Sequence, residues 1–574
     1  MSNAYSRSEH LRSLWPWLPL WTVAALLAIF SHGPMPLYST RTLAVAWEMW
    51  AHHDWLVPHL NGQPYSEKAP LLFWLIHAGW FVFGVNDVWP RVLEVIFGGA
   101  ELVLLSVIAR RMFPEHPWVA KAAPWMLLAL SYAFLFGLQV MYDVLLAMWA
   151  LAALLSLTPT LRRQEPRWLL FGLCIGFGLL TKGPVMLLHV LFPWLLGPLW
   201  SNWARTHRAR WYGRGTLAVL LGLVMLLAWA LPAGFAGGEA YRHRLFFSQT
   251  AARVIHGVQT AKPLQSHAHP VLWYVLMLPA LLFPLIGWPR AWVALATLRR
   301  PLSSGMRFAL CWVLPTFVVF SLIRGKQLYY LLPELAGTTL LLAGAVAVLR
   351  ERRPALARRA WLGTWPLGVC SMTFAVFLFV LPALVASHRL HSEWMVSLAS
   401  YSRFFGALFL LLGLLLLLRG RGEMRRLAVA GLICTLGLNT LFTLTSWSRF
   451  DLGPSTRLVR VAADAHHALA MVGNYDGEFT FAARLRQPVT MLYGNPPLLA
   501  FAKAHPDGLI IAHPSKLDAA MLRYAMLVQP FRSTWIVVWP AATLADLHSG
   551  ITPPEPAEPT RVYSPSDWRY RTLP

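Results

Sequence analysis

Charged side chains are scarce in this sequence. Asp, Glu, Lys and Arg together make 13% of the 574 residues, against 57% hydrophobic. A soluble chain of this length carries about 25% charge, so an ordinary soluble enzyme is excluded. Cysteine is scarcer still: Cys174, Cys311, Cys370 and Cys434 each lie inside an apolar run, with no paired spacing. That excludes a disulfide framework and a thiolate metal cluster, and leaves four small packing residues. A nucleotide-binding loop is also lacking. "TKGP" at Thr181–Pro184 has no G-x-x-x-x-G-K-S/T framework around it and joins two apolar runs. No repeat recurs at a fixed period.

What the chain has instead is hydrocarbon. Apolar runs of roughly 17–25 residues, the length that crosses a bilayer as helix, recur about thirteen times between residues 15 and 445. The reading is a polytopic α-helical membrane protein. The formal charge of +24 raises nucleic acid as a partner, but its distribution excludes that. Basic residues cluster in every second loop, as at Arg110–Arg111, Arg162–Arg163, Arg299–Arg300 and Arg350/Arg352/Arg353/Arg358/Arg359. The positive-inside rule puts these loops and the N-terminus in the cytoplasm, and an odd number of spans leaves the C-terminal segment outside. The first span carries no small-residue cleavage site and reads as a retained targeting signal. Residues 1–445 are thus the transmembrane domain, with an outer loop at 34–89. Residues 446–574 form a small external α/β domain, in which "FTFAARL", "GLIIAHP" and "TWIVVWP" read as strands and "LDAAMLRYAM" as helix.

Four outer segments hold the polar chemistry. Within 34–89, "TLAVAWEMWAHHDWLVPHL" predicts a helix lying in the headgroup plane. It is followed by "NGQPYSEKAPLLFW", where Glu67 and Lys68 stand just ahead of an apolar run. The others are "TKG" at 181–183, a His- and Arg-rich stretch at 236–270, and "RGKQLYY" at 324–330. Few cations belong on the outer side, so Arg41, Lys68, Lys182, Arg253, Arg324 and Lys326 need a reason. A phosphate ligand is one; headgroup contact by snorkelling is the other. Asp143, at the outer start of a span, is a carboxylate where carboxylates are costly and usually functional or paired. Glu94 and Glu101 share a helix face, and Arg91, three residues before Glu94, predicts a structural ion pair. His267 and His269 in "SHAHP" could join Glu67 around a metal or be a solvated pair.

These segments resemble the motifs of the membrane-embedded C-type glycosyltransferases, relatives of the protein O-mannosyltransferases, that use polyprenyl-phosphate sugars. Within them the likeness is to the bacterial transferases that place 4-amino-4-deoxy-L-arabinose on lipid A phosphates. "YSEKAPLLFWL" resembles Y-F/S-E-K-P-P-L-x-x-W, and "LLTKGP" resembles L-T-K-G. "SHAHPVLWYV" is similar to H-x-x-P-F/L-W-Y, and "GKQLYYLLP" to G-K-L-x-x-Y-x-L-P. The resemblance implies a fold of about thirteen transmembrane helices with an outer C-terminal domain. It implies that Lys68, Lys182, Lys326 and Arg253, with Arg41 and Tyr330, hold the donor phosphate. Asp143, Glu67 and Lys68 would carry the chemistry, and Glu67 and His267 match positions that bind a divalent metal, zinc.

One departure bears on the acceptor. The family's first outer loop begins D-E-x-R, whereas this chain reads "YSTR" at Tyr38–Arg41. A hydroxyl acceptor needs a base to take its proton. A phosphomonoester is mostly a dianion at neutral pH, its second pKa being about 6, and needs none. The missing acids therefore suit a phosphate acceptor and leave the sugar's identity open. The expectation is an inverting transfer of a sugar, an amino sugar by resemblance, from undecaprenyl phosphate to a lipid A phosphate on the periplasmic side of the bacterial inner membrane. Such masking would weaken the binding of cationic peptides. The alternatives are a protein or polysaccharide hydroxyl as acceptor, and an inactive lipid-binding or flipping relative.

Overall fold

A computed structural model describes residues 16–136, 139–160, 162–248, 269–299, 301–387, 393–418, 422–517 and 519–548. The chain forms two compact units. One comprises Met1–Phe30, Ser66–Val380 and Ser402–Asn439; the other Ser31–Tyr65, Leu381–Tyr401 and Thr440–Pro574.

Among the described residues seven helices are long and apolar enough to cross a membrane: Val88–Met112, Arg208–Ala236, Ser304–Leu322, Leu328–Arg352, Trp365–Ala386, Met395–Leu417 and Glu423–Thr445. The chain is a multi-pass helical membrane protein, as its composition requires. Several other apolar runs form helices shorter than a bilayer: Leu18–Ile29, Tyr142–Leu157, Trp168–Lys182 and Val185–Leu195. Two of the apolar runs, at 117–136 and 271–291, are divided. The 117–136 run breaks after Ala129, and the 271–291 run gives Trp273–Leu281, a turn, and then Pro289–Ala296. Conversely, Leu71–Phe83 is an apolar helix inside the expected outer loop.

Helix approach in the first unit depends on small residues. Gly172 and Gly176 of Trp168–Lys182 face Ala218 and Gly222 of Arg208–Ala236. A Cβ on Gly172 would lie 2.6 Å from the Ala218 carbonyl oxygen, and one on Gly222 would lie 3.1 Å from the Gly176 nitrogen. In hydrocarbon, where burial gives no hydrophobic gain, such close backbone packing drives association. It fixes the helix that ends at Lys182.

The second unit contains a mixed five-stranded sheet. Its strands follow a two-residue hairpin, β1 (His59–Leu60) and β2 (Gln63–Pro64). They are β3 (Leu469–Val472), β4 (Thr490–Leu492), β5 (Leu509–Ala512), β6 (Leu527–Phe531) and β7 (Thr534–Pro540), in the order β4-β3-β5-β7-β6. β3 runs parallel to β4 and β5, while β7 is antiparallel to β5 and β6. Alternate side chains enter different cores: Ile511 joins Met471 and Phe479 on one face, Ile510 joins Ala470 and Phe501 on the other. Strands over "LIIA" and "TWIVVWP" and the helix Ala519–Tyr524 agree with the sequence. "FTFAARL" does not form a strand. Its alternation is real, but Ala483 N–H donates to Phe479 O at 2.8 Å and Leu485 N–H to Thr480 O at 2.9 Å, closing local turns instead. β3 went unnoticed because "LAMV" follows directly on the alanine-rich "VAADAHHA" and lacks the β-branched run that marks "LIIA".

The helix Ser39–Ala51 exists, but its setting differs from the headgroup plane expected of it. Residues Ser39–Met49 are buried apart from half-buried Arg41. Trp47 Nε1 donates to Leu485 O at 2.8 Å, and Glu48 accepts from Asn61 N at 2.6 Å and Gly62 N at 2.9 Å, capping the hairpin turn. The Asn61 side chain in turn brackets the Val489 backbone, donating at 2.8 Å and accepting at 2.7 Å. Residues 31–65 therefore group with the C-terminal segment, and the compact units divide elsewhere than residue 446.

Candidate active site

Lys182 ends its helix because Gly183 follows. Gly183 adopts φ +70°, a conformation that favours glycine, and its N–H closes onto Leu179 O at 2.7 Å. Pro184 then opens the next helix. "TKGP" is thus a helix-to-helix corner that holds one lysine at its apex. The Lys182 ammonium pairs with Asp143, in the first turn of Tyr142–Leu157, and both side chains are largely buried, at 12% and 7% exposure. The same ammonium sits 4.5 Å from the ring centre of Tyr330 and 5.4 Å from that of Tyr329. Cation–π contact with two rings and one carboxylate leaves the ammonium positioned but not exhausted: lysine has three donors.

Lys68 approaches the same helix start from another segment. Its ammonium lies 5.4 Å from the Tyr142 ring centre, and Phe73, in the first turn of the following helix, meets that ring edge-on at 5.8 Å. Tyr142 and Asp143 are neighbours in sequence, so "SEK", "MYD", "TKG" and "LYY" converge on one helical turn, all within the first unit.

The third and fourth motifs also meet. Lys326 is 1% exposed, and its ammonium donates to His269 O at 2.9 Å and Ile323 O at 2.6 Å. Burial lowers its pKa. His269 N–H returns a bond to Arg324 O at 3.3 Å, and its ring stacks on Trp273 at 4.2 Å. Lys326 thereby ties two loops together, with two of its three donors spent on backbone. Tyr274 OH adds a bond to Gln327 O at 2.8 Å, seven residues before Glu334 in the first turn of Leu332–Arg352.

The remaining expected site residues lie apart or out of view. Arg41 belongs to the second unit, where it pairs with Asp476 at 3.1 Å. Glu67 is exposed beside Lys68. Arg253 and His267 fall outside the described residues. Among the described residues no group of three His, Cys, Asp or Glu side chains is placed to hold a metal. Glu67 alone is not a donor set, and no chemistry below is routed through an ion.

Three supporting residues stand near the site, of which the sequence reading missed His189 and Glu334 and gave Glu94 another partner. Glu94 is fully buried and accepts from Met141 N–H at 3.2 Å, bracing the start of the Tyr142–Leu157 helix. Its expected pair with Arg91 does not form: Arg91 pairs with Asp87 at 2.6 Å, one helical turn back. His189 and Glu334 meet at 2.8 Å, at 1% and 3% exposure, seven residues after Lys182 and four after Tyr330. Ionisable residues inside apolar runs were the available signal.

Comparison with known proteins bears on this arrangement. Residues 67–229 match the family described as dolichyl-phosphate-mannose-protein mannosyltransferase. An undecaprenyl phosphate-alpha-4-amino-4-deoxy-L-arabinose arabinosyl transferase of Pseudomonas fluorescens is 30% identical over 396 residues, 67% of this chain and 68% of that one. One from Sodalis glossinidius is 30% identical over 311 residues, and the chain spans about half its length, 53% of each. The crystal structure of ArnT from Cupriavidus metallidurans bound to undecaprenyl phosphate superposes with a TM-score of 0.66 at 19% identity, covering 92% of this chain and 99% of ArnT. That likeness fixes the fold, and the identity to the Pseudomonas protein fixes the lineage: this chain belongs to the undecaprenyl phosphate-aminoarabinose arabinosyl transferase family.

Proposed function

We propose that the chain transfers 4-amino-4-deoxy-L-arabinose, or a closely similar amino sugar, from undecaprenyl phosphate to a phosphate of lipid A at the periplasmic face of the inner membrane. The observation that carries this reading is the meeting of Lys68 and Lys182 at the Tyr142–Asp143 turn. Two cations from separate segments, fixed by aromatic rings and one carboxylate, suit a phosphate leaving group. In the step, an oxygen of the acceptor phosphate bonds to the anomeric carbon as the bond from that carbon to the undecaprenyl phosphate oxygen breaks. The electron pair stays on the departing phosphate, where the two ammonium groups stabilise it. Inversion follows from a single displacement. Stabilising charge where it develops is the largest catalytic term available to such a site, and lining up two anionic lipids is the other.

Asp143 supports the phosphate acceptor over a hydroxyl. Its carboxylate is engaged by Lys182, so it positions the lysine instead of standing ready as a base, and a phosphate dianion requires none. Zinc remains part of the proposal, with Glu67 as one ligand. Metal analysis of the purified full-length chain, wild type against Glu67→Ala, tests it without reference to turnover.

The deciding experiment is mass spectrometry of lipid A from cells with and without the protein. A phosphate-linked aminopentose that disappears with the gene is expected. Unchanged lipid A phosphates, with the sugar found on a protein or polysaccharide hydroxyl, would transfer the assignment to that acceptor.

A further inference from the structure

A cavity with a basic lining lies apart from Lys68 and Lys182. Its volume is about 1740 Å³, beyond the roughly 300–1,000 Å³ of a small-molecule pocket. Lys121, Arg290, Arg350, Arg358, Arg359 and Arg425 line it against one carboxylate, Glu423. That carboxylate is already claimed by Arg290. Arg350 belongs to the last turn of the 21-residue helix Leu332–Arg352, whose first turn follows Tyr330. At 1.5 Å per residue that helix is about 30 Å long, the thickness of a bilayer's hydrocarbon. The cavity and the candidate active site are thus at opposite membrane faces, and the arginine clusters assign the cavity's face to the cytoplasm.

The lining is built for an anion at a lipid boundary. Arg290 is 8% exposed, bonds Glu423 and, at 3.4 Å, Arg359 O, and its Nε has no hydrogen-bond partner among the described residues. The Arg350 guanidinium stacks 4.0 Å from the Trp118 ring centre, which holds the fork in one plane. Trp361 and Trp365 are half-exposed at the rim, and Leu416–Leu418 continue the wall as hydrocarbon. Indoles at this depth mark the headgroup level, and a basic pocket between transmembrane helices on the cytoplasmic side suits phosphate headgroups.

We propose that this cavity binds the phosphate-bearing headgroup of an anionic phospholipid of the cytoplasmic leaflet. Phosphate oxygens meet Arg358, Arg359 and Arg425, and the acyl chains run along the Trp361 and Leu416–Leu418 wall.

The test is native mass spectrometry of the full-length chain in detergent, titrated with phosphatidylglycerol or with phosphatidylcholine of the same chain length. Preferential retention of phosphatidylglycerol is expected. Arg358→Ala/Arg359→Ala should weaken it about thirty-fold, from roughly five-fold for each surface arginine. Both positions are exposed, so folding is not at stake, and the double lysine variant should restore most of the affinity. Equal retention of the two lipids, or an unchanged affinity in the alanine variant, would overturn the proposal. So would displacement of phosphatidylglycerol by millimolar inorganic phosphate, which would assign the site to a water-soluble phosphate.

Discussion

The Lys182–Asp143 pair offers a way to separate what holds the fold from what performs the transfer. With side chains only 12% and 7% exposed, each charge depends on the other. Removing one partner of a buried pair leaves the survivor uncompensated and costs about 3–5 kcal/mol, while replacing both by apolar side chains of similar volume is often neutral. Lys182→Met alone and Asp143→Leu alone should therefore each lower the unfolding temperature clearly. The double variant should recover to within about 1 kcal/mol of the wild type. Transfer should behave otherwise. Lys182→Met and the double variant should both lose it, by at least about 100-fold, the typical effect of deleting one donor to developing charge. Thermal unfolding in detergent reads the first half; incubation of purified protein with labelled undecaprenyl-phosphate aminoarabinose and lipid A reads the second. Additive destabilisation in the double variant would refute the coupling. Retained turnover in Lys182→Met, with the fold intact, would remove Lys182 from the phosphate site altogether.

Lys68→Ala should reduce transfer by at least about 100-fold with little change in unfolding temperature, since its ammonium stacks on Tyr142 and is half-buried. Glu94→Ala should impair transfer by disturbing the helix start, and Glu94→Gln should largely restore it, because the amide oxygen can still accept from Met141 N–H. Stability should fall with rising pH through Glu478, whose carboxyl burial pushes up to about 7, with Asp476 adding to the shift and Arg41 opposing it. Its penalty is absent below the ordinary carboxyl value of 4.5, grows between 4.5 and 7, and reaches about 3 kcal/mol above that. Glu478→Gln should abolish this slope and unfold later than the wild type at pH 8, in scans across pH 5 to 8. Gly431→Ala places a Cβ 1.8 Å from the Ala129 carbonyl oxygen, and should destabilise by about 1–3 kcal/mol or more in the same unfolding assay.

Much of this was legible in advance because hydrocarbon patterning is insensitive to detail. Composition alone required membrane helices, and seven of the expected runs appear as helices of membrane-crossing length. "TKG" was legible too, since a lysine between two apolar runs has few places to go. Arg41 was not. It looked like another outer cation, but its partner Asp476 lies more than 400 residues on, and no spacing rule spans that distance. Lys326 shows a subtler limit: sequence fixed its motif, whereas only coordinates reveal that backbone carbonyls of two loops take two of its protons. The Arg91–Glu94 pairing failed for a local reason. Asp87 offers the same arginine a partner one turn away at the helix mouth, leaving Glu94 to the Met141 amide.

Tyr142 and Asp143 are consecutive residues, yet each answers to a different lysine. Because both contacts rest on one helical turn, a displacement of that turn would carry the two lysine contacts with it, so under the proposed function neither cation could be repositioned without disturbing the other.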